Sequence, residues 1–168
     1  SLNRHPGSAD PLATGKNELA VLIGQLGGKD EALKISAAQR LAIFRDRSAA
    51  VALADRLKDA SREVRAAAAL ALSACGTRDS IPSLLDAMED SDPVVAAAAV
   101  MAVRNLVGHI APFNAFAERK ERKAHTQAWR EWFAKYSWDA IERVLIPRTR
   151  TQILDPPRWA IVSLGHVG

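Results

Sequence analysis

The sequence predicts an all-α fold: a short right-handed α-α superhelix of about three stacked helix pairs, closed by a capping helix and flanked by extended arms. Three observations predict it. A short apolar pattern recurs every 31 residues, at Leu33, Val64 and Val95. Each copy has alanine four residues on (Ala37, Ala68, Ala99) and an apolar residue eight on (Leu41, Leu72, Val103). Val94 to Val103 runs ten residues without a polar side chain, and all four tryptophans lie after residue 128. The repeats and the C-terminal segment therefore follow different packing rules.

Residues 1–14, with Pro6, Gly7 and Pro11 and no apolar period, read as an extended N-terminal arm. The repeats occupy 15–107. In the first pair, Leu19, Leu22, Ile23 and Leu26 share one helix face, and Gly27-Gly28 stops that helix. Asp30 caps the next helix, which carries Leu33, Ala37, Leu41 and Phe44. The second pair uses Val51, Leu53, Ala54 and Leu57, turns at Asp59-Ala60-Ser61, and continues from Arg62 to Cys75 before Gly76. The third uses Ile81, Leu84, Leu85 and Met88, with Pro82 in a first turn; Asp92-Pro93 starts the last repeat helix and Gly108 ends it. In register, Leu22, Leu53 and Leu84 are equivalent, as are Leu26, Leu57 and Met88. These are the expected ridges between pairs.

A helix apolar all round is normally covered on all sides. Something is therefore expected to pack over Val94–Val103, either this chain's own C-terminal segment or a partner. Residues 108–146 comprise a loop, a helix from about Arg119 to Tyr136 and a short helix from Trp138. Trp129, Trp132, Phe133 and Tyr136 fall on one face and read as the cap of the array. Residues 147–168, with Pro147, Pro156 and Pro157, read as an extended C-terminal arm. It is too apolar to stay free in water. Its expected partner-binding residues are the anchors Ile153, Leu154, Trp159 and Ile161, rimmed by Arg148, Arg150 and Arg158.

Charge is uneven. Residues 1–117 carry 13 basic and 13 acidic side chains, whereas 118–168 carry ten and six, the whole net charge of +4. The second helices hold little charge, with Arg65 and Arg104 the main basic residues, which counts against a phosphate-tracking groove. No run of about 18 apolar residues is present. No signal peptide is visible, and Ser1 in place of Met reads as a processed or trimmed start. The single cysteine, Cys75, excludes an internal disulfide and reads as a small buried hydrophobe.

The helices beginning at Val64 and Val95, with the linker Gly76-Thr77-Arg78-Asp79-Ser80-Ile81-Pro82, resemble the HEAT-like repeats first named in phycobilisome lyases. Val103-Arg104-Asn105-Leu106-Val107-Gly108, Pro112-Phe113, Arg122-Lys123-Ala124 and Trp129-Arg130-Glu131-Trp132-Phe133 resemble the closing segment of bacterial HEAT-repeat proteins. That resemblance implies a binding or scaffold role and points to an exported, periplasmic-type compartment. HEAT-like hydroxylases carry His-Glu pairs, but His5, His109, His125 and His166 precede Pro, Ile, Thr and Val. No metal-ligand spacing, phosphate loop, nucleophile elbow or Cys-x-x-Cys is present, and no cofactor is expected. The expected function is non-catalytic protein–protein interaction within a larger complex. The alternatives are an enzyme or enzyme-associated subunit of HEAT-like lyase or hydroxylase type, and nucleic-acid binding through the basic C-terminal segment.

Overall fold

In the computed structural model, the described residues are 11–108, 111–141 and 143. They form α1 (Pro11–Leu26), α2 (Glu31–Phe44), α3 (Ala50–Arg56), α4 (Arg62–Cys75), α5 (Ile81–Ala87), α6 (Pro93–Val107) and α7 (Arg119–Lys135). Short 3-10 turns, Arg47–Ala49 and Arg78–Ser80, lead into α3 and α5. Among the described residues there is no strand. The second helices stack in sequence, α2 on α4 and α4 on α6, while α1, α3 and α5 form the other layer. The fold is the all-α superhelix of helix pairs that the period predicts.

The period is visible in the caps as well as in the core. Asp30, Ser61 and Asp92 stand at 31-residue intervals and each accepts a backbone N–H of the following first turn. Asp46 stands 31 residues before Thr77, and each opens a 3-10 turn. The same capping chemistry thus starts the second helix of each pair at the same repeat position. All six ridge residues, Leu22, Leu53, Leu84, Leu26, Leu57 and Met88, are buried. Ala37, Ala68 and Ala99 are fully buried between second helices, where a side chain larger than a methyl would force the axes apart.

Two helix ends use glycine differently. Gly108 caps α6 in the left-handed region at φ 63°, where glycine carries no steric penalty. Gly76 ends α4 at an ordinary φ, and its need is space: a Cβ there would lie 2.4 Å from the Leu72 carbonyl oxygen and 3.0 Å from Leu106 Cδ1.

Several elements differ from the sequence expectation. α1 begins at Pro11, inside the segment read as an arm, because proline suits a first helical turn whose N–H has no partner. Val51 is 73% exposed rather than part of the α3 face, which is built from Ala50, Leu53 and Leu57. Leu33 and Phe44 are exposed, unlike the buried Val64 and Val95 that match Leu33 in the later pairs. The first pair stands at the end of the row, so α2 has a neighbouring second helix on one side only.

The aromatic stripe of α7 reaches the repeats in part: Trp129 and Phe133 do so, whereas Tyr136 is exposed. Trp129 lies in the main core with Phe133 and Trp138 packed against that core, and α7 packs on α5. Trp132 turns to Ile141, and Phe133 meets it edge-on at 5.0 Å.

A candidate partner-binding face on the second helices

The pairs are joined by a ladder of basic side chains and turn aspartates. Lys34 Nζ on α2 reaches forward to Asp59 Oδ2 at 2.7 Å. Thirty-one residues on, Arg65 on α4 reaches Asp90 with two parallel bonds, Nε to Oδ2 at 2.8 Å and Nη2 to Oδ1 at 3.0 Å. Arg65 Nη1 also donates back to the carbonyls of Asp59 and Ala60. The next rung would start at position 96, which is alanine. Arg122, buried on α7, instead supplies the back-bond to the third turn that Arg65 makes to the second: its Nη2 donates to the Asp90 carbonyl at 2.9 Å and its Nη1 to that of Ala115 at 2.9 Å. α7 therefore bonds the last repeat turn with a borrowed guanidinium.

Electrostatics follow this geometry. Burial pushes the Asp59 carboxyl up, but Lys34, the Ser61 N–H and Arg56 outweigh burial and hold it below the ordinary carboxylate value. The carboxylate of Asp90 holds the Arg65 guanidinium in its charged form. Arg104 Nη2 donates to the Ala111 carbonyl at 2.9 Å. The two main basic residues of the second helices are thus committed within the fold. Cys75 is buried, its Sγ donating to the Leu41 carbonyl at 3.1 Å. Burial, then the Asp46 charge, pushes the thiol up to about 11, so it is not a thiolate near neutrality.

What the second helices leave open is apolar. α6 buries Val95, Ala98, Ala99, Ala102 and Val103, but Val94 and Met101 are exposed and Ala97 half-buried. The uniformly apolar helix is therefore uncovered along one stripe by any described element. On α4 the equivalent stripe is Glu63, Ala66 and Leu70, with Leu70 46% exposed and Met101 44%. A groove of about 430 Å3 continues the stripe to the loop after α6, lined by Ala97, Met101, Arg104, Phe113 and Phe116. A smaller one of about 210 Å3, between the starts of α4 and α6, is lined by Arg62, Glu63, Ala66, Asp92 and Val94. Leu70, Val94 and Met101 are the exposed large apolar side chains of α4 and α6.

The sequence pattern alone places binding elsewhere, in the C-terminal arm. Its residues Arg148, Arg150, Ile153, Leu154, Arg158, Trp159 and Ile161 lie outside the described residues. The Leu70–Met101 row and the ladder escape that reading. The signal for both is the same period: Leu70 and Met101, Lys34 and Arg65, and Asp59 and Asp90 are each 31 residues apart. Among the described residues no group of three or more His, Cys, Asp and Glu is placed to hold a metal ion, and no helix is long and apolar enough to cross a membrane.

A comparison with protein families matches HEAT repeats over residues 19–104, just over half of the chain. No curated protein matches the chain. HEAT repeats generally mediate protein interactions. With its 31-residue period, its two layers of helices and this match, the chain belongs to the HEAT-repeat family.

Proposed function

We propose that the chain is a non-catalytic protein-interaction module, working as a small accessory, assembly or scaffold subunit of a larger complex. The observation that carries this reading is the exposed row on the second helices. Leu70 and Met101 stand open at the same register position, with Ala66 and Ala97 one turn before them. Alanine lets a partner backbone approach closely, while leucine and methionine supply apolar anchors on either side. Methionine suits such a surface because its unbranched chain adapts to the partner. The commitment of Arg65 to Asp90 and of Arg104 to Ala111 counts against phosphate tracking on this face.

The test is affinity isolation of the full chain, expressed at native level in its own host, beside a Leu70→Glu/Met101→Glu variant. Both side chains are exposed, so the variant is expected to keep its circular dichroism and melting midpoint. The wild type is expected to bring down a stoichiometric protein partner that the variant loses. A wild type recovered alone at monomer mass, or a partner retained by the variant, would overturn the proposal.

A further inference from the structure

On the opposite layer, a cleft of about 740 Å3 lies between α5 and the C-terminal end of α7. Its volume falls within the range of ordinary ligand-binding clefts. Ile81 and Leu85 form one wall, and Phe133, Tyr136 and Trp138 the other. Phe133 and Trp138 pack at 6.2 Å between centroids, so the aromatic wall is held in place. Three cations rim it. Arg130 is committed, donating to Asp86 at 2.8 Å and Glu89 at 3.4 Å. The other two are not. The Arg78 guanidinium stands 5.8 Å over the Trp138 ring, and Lys135 Nζ stands 5.6 Å over that of Tyr136. Among the described residues neither forms an ion pair.

We propose that this cleft docks an acidic peptide segment of a partner protein, anchored by a large apolar side chain. A cation resting on an aromatic face keeps its N–H donors available. A carboxylate entering between Arg78 and Lys135 gains charge-assisted hydrogen bonds from donors already positioned at the mouth. An apolar side chain beside that carboxylate covers the aromatic wall. A basic segment would meet two positive charges that no described residue pairs, and a purely apolar one would leave them unused. This surface is separate from the Leu70–Met101 row, so the proposal does not rest on that function.

Selection of a random peptide library on the full chain tests it. The enriched sequences are expected to combine aspartate or glutamate with a bulky apolar residue. The best of them, fluorescently labelled, is expected to bind with an affinity that falls as salt rises. Arg78→Glu/Lys135→Glu is expected to weaken it about tenfold or more while leaving the melting midpoint unchanged. Leu70→Glu/Met101→Glu, measured alongside, is expected to bind the peptide as the wild type does. Absence of enrichment, enrichment of neutral or basic peptides, or equal binding by the charge-reversed variant would each overturn the proposal. So would binding that emerges only when residues 147–168 are removed, which would assign the cleft to the chain's own tail. A self-association broken by the charge-reversed variant would assign the cleft to a second copy and overturn the proposal equally.

Discussion

Replacing Asp90 by alanine isolates the rung between the second and third helix pairs. The side chains of Arg65 and Asp90 keep only 15% and 12% of their accessible surface, so water screens the pair poorly. The substitution removes two parallel bonds of 2.8 and 3.0 Å and the bond that Asp90 Oδ1 accepts from the Asp92 N–H. It leaves the guanidinium with the carbonyls of Asp59 and Ala60. Hydrogen bonds to charged groups are worth roughly 1.5–3 kcal/mol each, and a charge stranded by loss of its partner costs more. The remaining carbonyl contacts and partial exposure reduce the sum to about 2–4 kcal/mol. For a chain of this size that lowers the melting midpoint by about 5–15 °C. The assay is urea and thermal unfolding followed by circular dichroism, run as a double-mutant cycle with Arg65→Met. A coupling energy above about 1 kcal/mol is expected; single-mutant effects that add within about 0.3–0.5 kcal/mol would refute the ladder as an energetic unit.

Leu53→Ala, at a fully buried ridge position, should cost about 2–5 kcal/mol. Val51→Ala, two residues away and mostly exposed, should change urea stability by less than about 0.5 kcal/mol. Acid should unfold the protein through its depressed carboxylates: Asp59 is held low by Lys34 and Ser61 against its burial, and Asp92 chiefly by the Val94 N–H. A carboxyl depressed in the folded state contributes stability above its unfolded value, and that stability is lost as pH falls through the folded value. Asp59→Asn should therefore flatten the decline below about pH 4, as seen in urea midpoints measured against pH. Cys75, with its thiol pushed up to about 11, should react with a thiol reagent at mildly alkaline pH only as fast as the protein opens. A rapid reaction of the native protein would show the thiol to be accessible.

Most of the fold is legible in the sequence because its core repeats at fixed spacing. Leu22, Leu53 and Leu84 announce the ridges, and Ala37, Ala68 and Ala99 the close approach of the second helices. Val51 and Leu33 depart from the pattern because helix periodicity gives a face without saying how wide its cover is. α3 is only seven residues long and buries a narrow strip, and Leu33 sits where the row of second helices ends. The ladder escapes a search for period in apolar residues, which passes over charges, although Lys34, Arg65, Asp59 and Asp90 obey the same spacing. Arg122 cannot be found that way at all. It contacts Asp90, 32 residues upstream, across a loop and outside the repeat register, and in a basic helix it resembles its solvated neighbours Lys120 and Lys123. The Leu70–Met101 row involves a helix whose sequence is too apolar to be bare, but which stripe stays open depends on where the neighbouring helices end.

The arginine that α7 lends to the third turn also ties that helix to the last of the repeated pairs. A fourth unit copied between α6 and α7 would carry Arg122 away from Asp90 and leave the original third turn facing Ala96, a methyl with nothing to donate. An arginine at position 96 of the inner copy would restore to that turn the donor that the insertion removes, as Arg65 supplies one to the carbonyls of Asp59 and Ala60.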